Sequence, residues 1–191
     1  MKRYLWAAVA VVALASASPA AGLAAVPESG PPAFQGSNRP FTLFVPVDPA
    51  PAAPVYTLNG GVTTLNRFSG KVVVLNIWAT WCPACLHELP TLANLQSRMG
   101  RDQFTVVALS IDDGGAAVVS RYLRRNGLEN LPAYLDPAGR VLTALNVGTS
   151  LPVSFLIDHQ GRVVGYMKGA ADWSSPQAKA LIDYYISRIS P

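Results

Sequence analysis

Val72-Val73-Val74-Leu75-Asn76-Ile77-Trp78-Ala79-Thr80-Trp81-Cys82-Pro83-Ala84-Cys85 is the stretch on which the fold turns. Its first seven residues are apolar except Asn76, the pattern of a central strand buried on both faces. Pro83 suits the first position of a helix, where its missing amide hydrogen is not needed. The spacing therefore predicts a strand over 72–78 that feeds a helix from 83 to about 99. Upstream, residues 56–58 and 62–65 flank Asn59-Gly60-Gly61 and read as a hairpin. Downstream, 104–111 is a second buried strand, and 118–126 is a helix closed by Gly127. A short strand at 133–135 leads into the turn Asp136-Pro137-Ala138-Gly139, followed by a short helix through Asn146. Residues 153–158 and 163–167 are strands joined by His159-Gln160-Gly161, and 174–189 is a terminal helix. Strands alternating with helices make an α/β domain.

Further out, Lys2 and Arg3 precede an apolar, uncharged run over 4–15 that gives way to small residues, the form of a targeting segment. Residues 1–25 are read as a signal peptide, with Ala15-Ser16-Ala17 offering a cleavage site, or as a retained anchor, since 4–26 is just long enough to span a membrane. No cysteine follows the run to carry a lipid. Either fate puts the domain outside the cytoplasm, in the periplasm, where disulfides persist. Residues 26–55 form a proline-rich linker: 27–54 alone holds eight of the sixteen prolines. Fully extended, it would reach on the order of 80 Å, enough to hold the domain, 56–191, off a membrane.

Composition narrows the function. The 191 residues carry 15 Lys and Arg against 11 Asp and Glu, a net charge of +4 with only 14% charged residues. Loss of Lys2 and Arg3 would lower that to +2. The basic residues are scattered, so no nucleic-acid surface is indicated. Cys82 and Cys85 are the only cysteines, too few for a four-cysteine zinc site or a disulfide scaffold.

A helix N-terminus has unpaired amides and the positive end of the macrodipole, which together stabilise a thiolate at Cys82. Cys85 lies one turn on and on the same face, within disulfide reach. This spacing suits a nucleophile and a resolving thiol. A permanent disulfide is the plain alternative, although so short a loop restrains the unfolded chain little. A metal site would have only His87 and His159 to add. Haem attachment would need histidine after Cys85, where Leu86 stands.

These residues resemble the thioredoxin superfamily, and within it the TlpA/ResA-like branch, over about residues 56–190. The likeness is carried by Gly70-Lys71 ahead of an apolar strand, by 76–82 as the entry to the cysteines, by Pro90 eight residues after Cys82, and by Leu151-Pro152-Val153-Ser154-Phe155-Leu156-Ile157-Asp158. It implies a thioredoxin fold: a central mixed sheet flanked by helices, with an N-terminal hairpin and a strand–helix insertion. It implies a cis Leu151–Pro152 bond, with Leu151 pairing to an extended substrate and Pro152 packed beside the cysteines.

Thioredoxin's charged pair is absent, because Asn76 and Ala108 stand in its place. Glu88 falls where ResA-like proteins carry a carboxylate near the thiols. There it would exchange protons with Cys85 or modulate Cys82, the alternative being a solvated early-helix glutamate. Trp81 and Pro83 join Leu151 as expected substrate contacts, Trp78 and Trp173 are expected to be packing residues, and His87 is expected to be exposed.

The activity so implied is thiol-disulfide exchange with no cofactor or metal: Cys82 attacks a protein disulfide, and Cys85 resolves the mixed disulfide with help from Glu88. A membrane-embedded electron donor would re-reduce the pair. The resemblance points to apocytochrome c or copper-oxidase assembly proteins as substrates. A disulfide oxidant or isomerase, and a redox-inert copper- or partner-binding module, share the motif and remain as alternatives.

Overall fold

The structure, a computed structural model, describes residues 30–189. The targeting segment expected at 1–25 lies outside them. Eight strands run in chain order as β1 (Thr42–Pro49), β2 (Val55–Thr57), β3 (Val62–Thr63), β4 (Val72–Trp78), β5 (Phe104–Ser110), β6 (Ala133–Leu135), β7 (Val153–Ile157) and β8 (Arg162–Lys168). The helices are α1 (Pro83–Met99), α2 (Gly115–Arg125), α3 (Arg140–Leu145) and α4 (Pro176–Ile186). The strands form one mixed sheet in the order β1-β8-β7-β4-β5-β6-β2-β3. β4 runs parallel to β5 and antiparallel to β7, so the strand that delivers the cysteines lies inside the sheet with a neighbour on each side.

Every residue of β4 and β5 is buried. Alternation along β4 sorts its side chains between two cores. Val72, Val74 and Trp78 join the core that also holds Leu89 and Leu92 of α1, Val119 of α2 and Leu181 of α4. Val73, Leu75 and Ile77 join the opposite core, with Val141 and Leu142 of α3. The same alternation turns Asn76 toward α1, placing a polar group in the first core. In β7, Ser154 stands directly across from Asn76 and faces the same way.

The linker expected over 26–55 is corrected from residue 34 onward. Phe34 is buried at 3% exposure and meets the Trp173 ring edge-on at 5.0 Å between centroids. The Phe41 amide donates to the Phe34 carbonyl at 2.8 Å, and the Ser37 amide donates to the Ala170 carbonyl at 2.9 Å. β1 then pairs antiparallel with β8, with Thr42 opposite Tyr166 and Asp48 opposite Val163, and its register shifts in between. Proline is compatible with an edge strand because one side of that strand has no ladder to complete. Leu43, Phe44, Val45 and Val47 supply strand-forming residues that the proline count obscures. The domain thus begins well before residue 56, and a fully extended reach does not describe this segment.

Elsewhere the strand expected over 62–65 stops at Thr63 and a 3-10 turn over Leu65–Phe68 follows it; the remaining differences are at element ends. α2 starts at Gly115, three residues before the expected position. α4 starts at Pro176, with the Ser175 hydroxyl accepting from the Ala178 amide at 3.2 Å.

Candidate active site

Cys82 is the N-cap of α1, and Pro83 takes the first helical position. The Cys82 and Cys85 sulfurs are joined in a disulfide, with 5.3 Å between their Cα atoms. The Cys85 amide donates to Cys82 Sγ at 3.2 Å, so a free amide of the first turn already points at the sulfur that would carry negative charge. The two cysteines differ in burial: Cys82 keeps 7% exposure and Cys85 is fully buried. Further along the helix, Pro90 lies inside α1 and leaves the Leu86 carbonyl without its usual amide donor.

The loop that presents Cys82 is pinned from β5. Asp112 is buried and accepts from the Thr80 amide at 2.9 Å, the Thr80 hydroxyl at 2.6 Å and the Ser110 hydroxyl at 2.7 Å. The Ile111 amide donates to the Trp78 carbonyl at 3.0 Å. Between these anchors and the helix, Trp81 is left 65% exposed, next in sequence to Cys82, and Pro83 on its other side is exposed. Trp78 is buried and lies tilted against Tyr122 at 5.8 Å, and His87 is exposed.

Glu88 is only 2% exposed. Its Oε1 accepts from Trp173 Nε1 at 2.6 Å and from the Ala171 amide at 3.3 Å, and its Oε2 accepts from Asn76 Nδ2 at 3.1 Å. Asn76 Nδ2 also donates to Ser154 Oγ at 2.9 Å. Removal from water dominates the acidity of this carboxyl and pushes its pKa up from the usual 4.5 to about 7, while the three donors pull in the opposite direction. A group poised near neutrality can take and return a proton, one helical turn from Cys85. The solvated glutamate that helix statistics favoured is not what the fold builds.

The Leu151–Pro152 bond is cis. Pro152 is buried, and Leu151 packs against the apolar cluster that contains both cysteines. The Pro152 carbonyl accepts from the Gly169 amide at 2.9 Å, which ties this turn to the end of β8.

Three residues of the Glu88 setting do more than the sequence indicates. Trp173 is packed, as expected, but it also supplies the shortest hydrogen bond to Glu88. Asn76 and Ser154 had no assigned task. A polar residue in the middle of an otherwise apolar central strand was the available clue to Asn76. Nothing local marked Trp173 or Ser154.

A sulfur pair closed across the first turn of such a helix can open by thiol attack and close again, and proteins that use it on this fold are thiol-disulfide oxidoreductases of the thioredoxin superfamily. The chain belongs to the Redoxin family, whose model matches residues 46–182, and is TlpA/ResA-like within the superfamily. It is 32% identical to the thiol-disulfide oxidoreductase ResA of Bacillus thuringiensis over 142 residues, which cover 74% of this chain and 77% of the relative. It is also 32% identical to ResA of Bacillus subtilis over 133 residues, 70% and 69% of the two chains. Among solved structures, the thiol:disulfide interchange protein described as DsbE from Chlorobium tepidum superposes with a TM-score of 0.65. That match has 27% identity and covers 73% of this chain and 96% of the other.

Proposed function

We propose that this oxidoreductase works as a reductant of protein disulfides outside the cytoplasm, in cytochrome c maturation or in assembly of copper-containing oxidases. The Cys82 thiolate attacks one sulfur of a partner's disulfide; a new S–S bond forms to Cys82, and the partner's other sulfur leaves as a thiolate that takes a proton. Cys85 gives its proton to Glu88 or to water and attacks Cys82 Sγ. The Cys82–Cys85 bond closes, and the second partner sulfur leaves reduced. Two electrons have passed to the partner, and a membrane-embedded thiol donor restores the dithiol.

The observation that carries this reading is the asymmetry of the pair: a cysteine that keeps slight exposure at a helix N-terminus, and a fully buried one a single turn from a buried carboxyl. Trp81, Pro83 and Leu151 form the surface offered to an extended substrate, with Pro152 shaping the turn beside it. Among the described residues no helix is long and apolar enough to cross a membrane; the proposed tether is the apolar run over 4–26.

The test is Cys85→Ser, expressed in cells and quenched with an alkylating agent. Covalent complexes through Cys82 are expected, with apocytochromes or copper-assembly proteins as the captured partners. Absence of any complex would overturn the assigned roles. A reduction potential near the roughly −270 mV of thioredoxin supports a reductant, and one near the roughly −120 mV of DsbA supports the oxidant alternative. A copper-binding module would need ligands beyond the two thiols, and among the described residues no three His, Cys, Asp or Glu side chains are grouped to hold a metal.

A further inference from the structure

The hydrogen bonds around Glu88 raise a question of proton bookkeeping. All three neighbours donate to the carboxylate. A backbone amide and an indole N–H can only donate, so neither can receive a proton placed on Glu88. Asn76 is the exception, because its side chain has an amide group at one corner and a carbonyl oxygen at the other. Nδ2 uses its two hydrogens toward Glu88 Oε2 at 3.1 Å and Ser154 Oγ at 2.9 Å. Rotating the amide by half a turn puts Oδ1 and its two lone pairs in that same corner. There it can accept from a protonated Oε2 and from the Ser154 hydroxyl, which is free to donate as well as accept.

We propose that Asn76 is a positioning residue whose side-chain amide turns over when Glu88 gains a proton and turns back when it is lost, with Ser154 reversing its hydroxyl in step. Oε2 is then the oxygen that carries the proton, because Oε1 faces only donors. Ser154 lies two residues beyond Pro152, so the protonation state of Glu88 is read out on the strand that begins at the substrate-facing turn.

Among the described residues, no titratable side chain is bonded to the Glu88 carboxyl: β4 contributes the neutral Asn76, itself bonded to Ser154 of β7, and Cys82 and Cys85, earlier on the same helix, do not titrate while joined. The segment over 171–173 contributes an amide and an indole. Asp172, in that same segment, is exposed and accepts instead from the Ser174 amide and hydroxyl. The inference rests on the reading of Glu88 as a proton carrier only for its consequence in turnover, and its test involves no turnover.

The test uses the full chain with its disulfide closed. The Glu88 carboxyl carbon is titrated by NMR in the wild type and in Asn76→Leu. A fixed donor would favour only the ionised form, so its loss would raise proton affinity about tenfold or more. A reversible partner serves both forms, so the change should stay within about threefold; a larger rise overturns the proposal.

Should Asn76→Leu fail to fold, the wild type and Glu88→Gln decide the matter. Contacts between the Asn76 amide hydrogens and the Ser154 β-protons should be present in the wild type at high pH and lost at low pH. They should be absent in Glu88→Gln at every pH, because its amide hydrogens need the Asn76 oxygen. Unchanged contacts in all three conditions overturn the proposal. Failure here leaves the Cys85→Ser trapping result untouched, and failure of the trap leaves these titrations untouched.

Discussion

Replacing Glu88 with glutamine removes a group that binds a proton more tightly in the folded chain than in the unfolded one. Below about pH 4.5 both states hold the proton, and it contributes nothing to the pH dependence. Between about 4.5 and about 7 the unfolded chain has released it and the folded chain has not. Folded protein therefore binds more protons, and stability falls as pH rises through this window. The interval of about 2.5 pH units, at about 1.36 kcal/mol per unit, corresponds to about 3 kcal/mol. Because Glu88 is almost completely buried, solvent does little to screen this effect.

Urea unfolding of the disulfide form, followed by far-UV circular dichroism from about pH 4.5 to about pH 8.5, measures it. Subtracting the Glu88→Gln curve removes the contribution of groups common to both proteins. The wild type should lose about 3 kcal/mol relative to the variant across the range, equivalent to about 6–12 °C in melting temperature for a domain of this size. A difference that stays flat within about 0.5 kcal/mol would mean that Glu88 has an ordinary acid strength, and would refute the desolvation argument. A difference of opposite sign would mean that the three donors outweigh burial.

Other expectations follow from the same contacts. Trp173→Phe removes the 2.6 Å donor to Glu88 while keeping most of the packing, and should raise the carboxyl's titration midpoint by about one pH unit or more. Phe34→Ala empties a buried position against Trp173 and should destabilise the domain by about 3 kcal/mol by urea unfolding, whereas an unpacked linker would show no change. Trp81→Ala should leave stability within about 0.5 kcal/mol, because the side chain is mostly exposed, while slowing disulfide exchange with protein substrates more than with a small dithiol. Asp112→Ala leaves the Thr80 amide and hydroxyl unpaired. It should destabilise by about 2 kcal/mol, read by urea unfolding of the disulfide form.

The core of the fold was legible because its signals are local. Seven consecutive residues of β4 and the helix opened by Pro83 lie where the sequence predicts them, since burial on both faces and N-terminal helix chemistry each leave a mark within a few residues. β1 left no such mark. Its prolines read as spacer, and its pairing partner, β8, lies more than a hundred residues away, so only the closed sheet reveals that 42–49 has a ladder to join. The carboxyl at position 88 was legible as a candidate through family likeness, but two readings of it stood open. Asn76 was conspicuous as a polar residue inside an apolar strand, yet its task depends on what α1 lays over it.

The sequence by itself determined where the sulfurs stand: two cysteines, three residues apart, at a strand-to-helix junction, within reach of a disulfide. That much follows from the geometry of a single helical turn. Only the tertiary structure decided how the carboxyl beside them behaves. The acidity of Glu88 depends on the water removed from it and on donors from β4 and the 171–173 segment, the former backed by Ser154 of β7. No run of neighbouring residues encodes that balance, because desolvation and hydrogen bonding at one atom are set by whatever the whole chain packs around it.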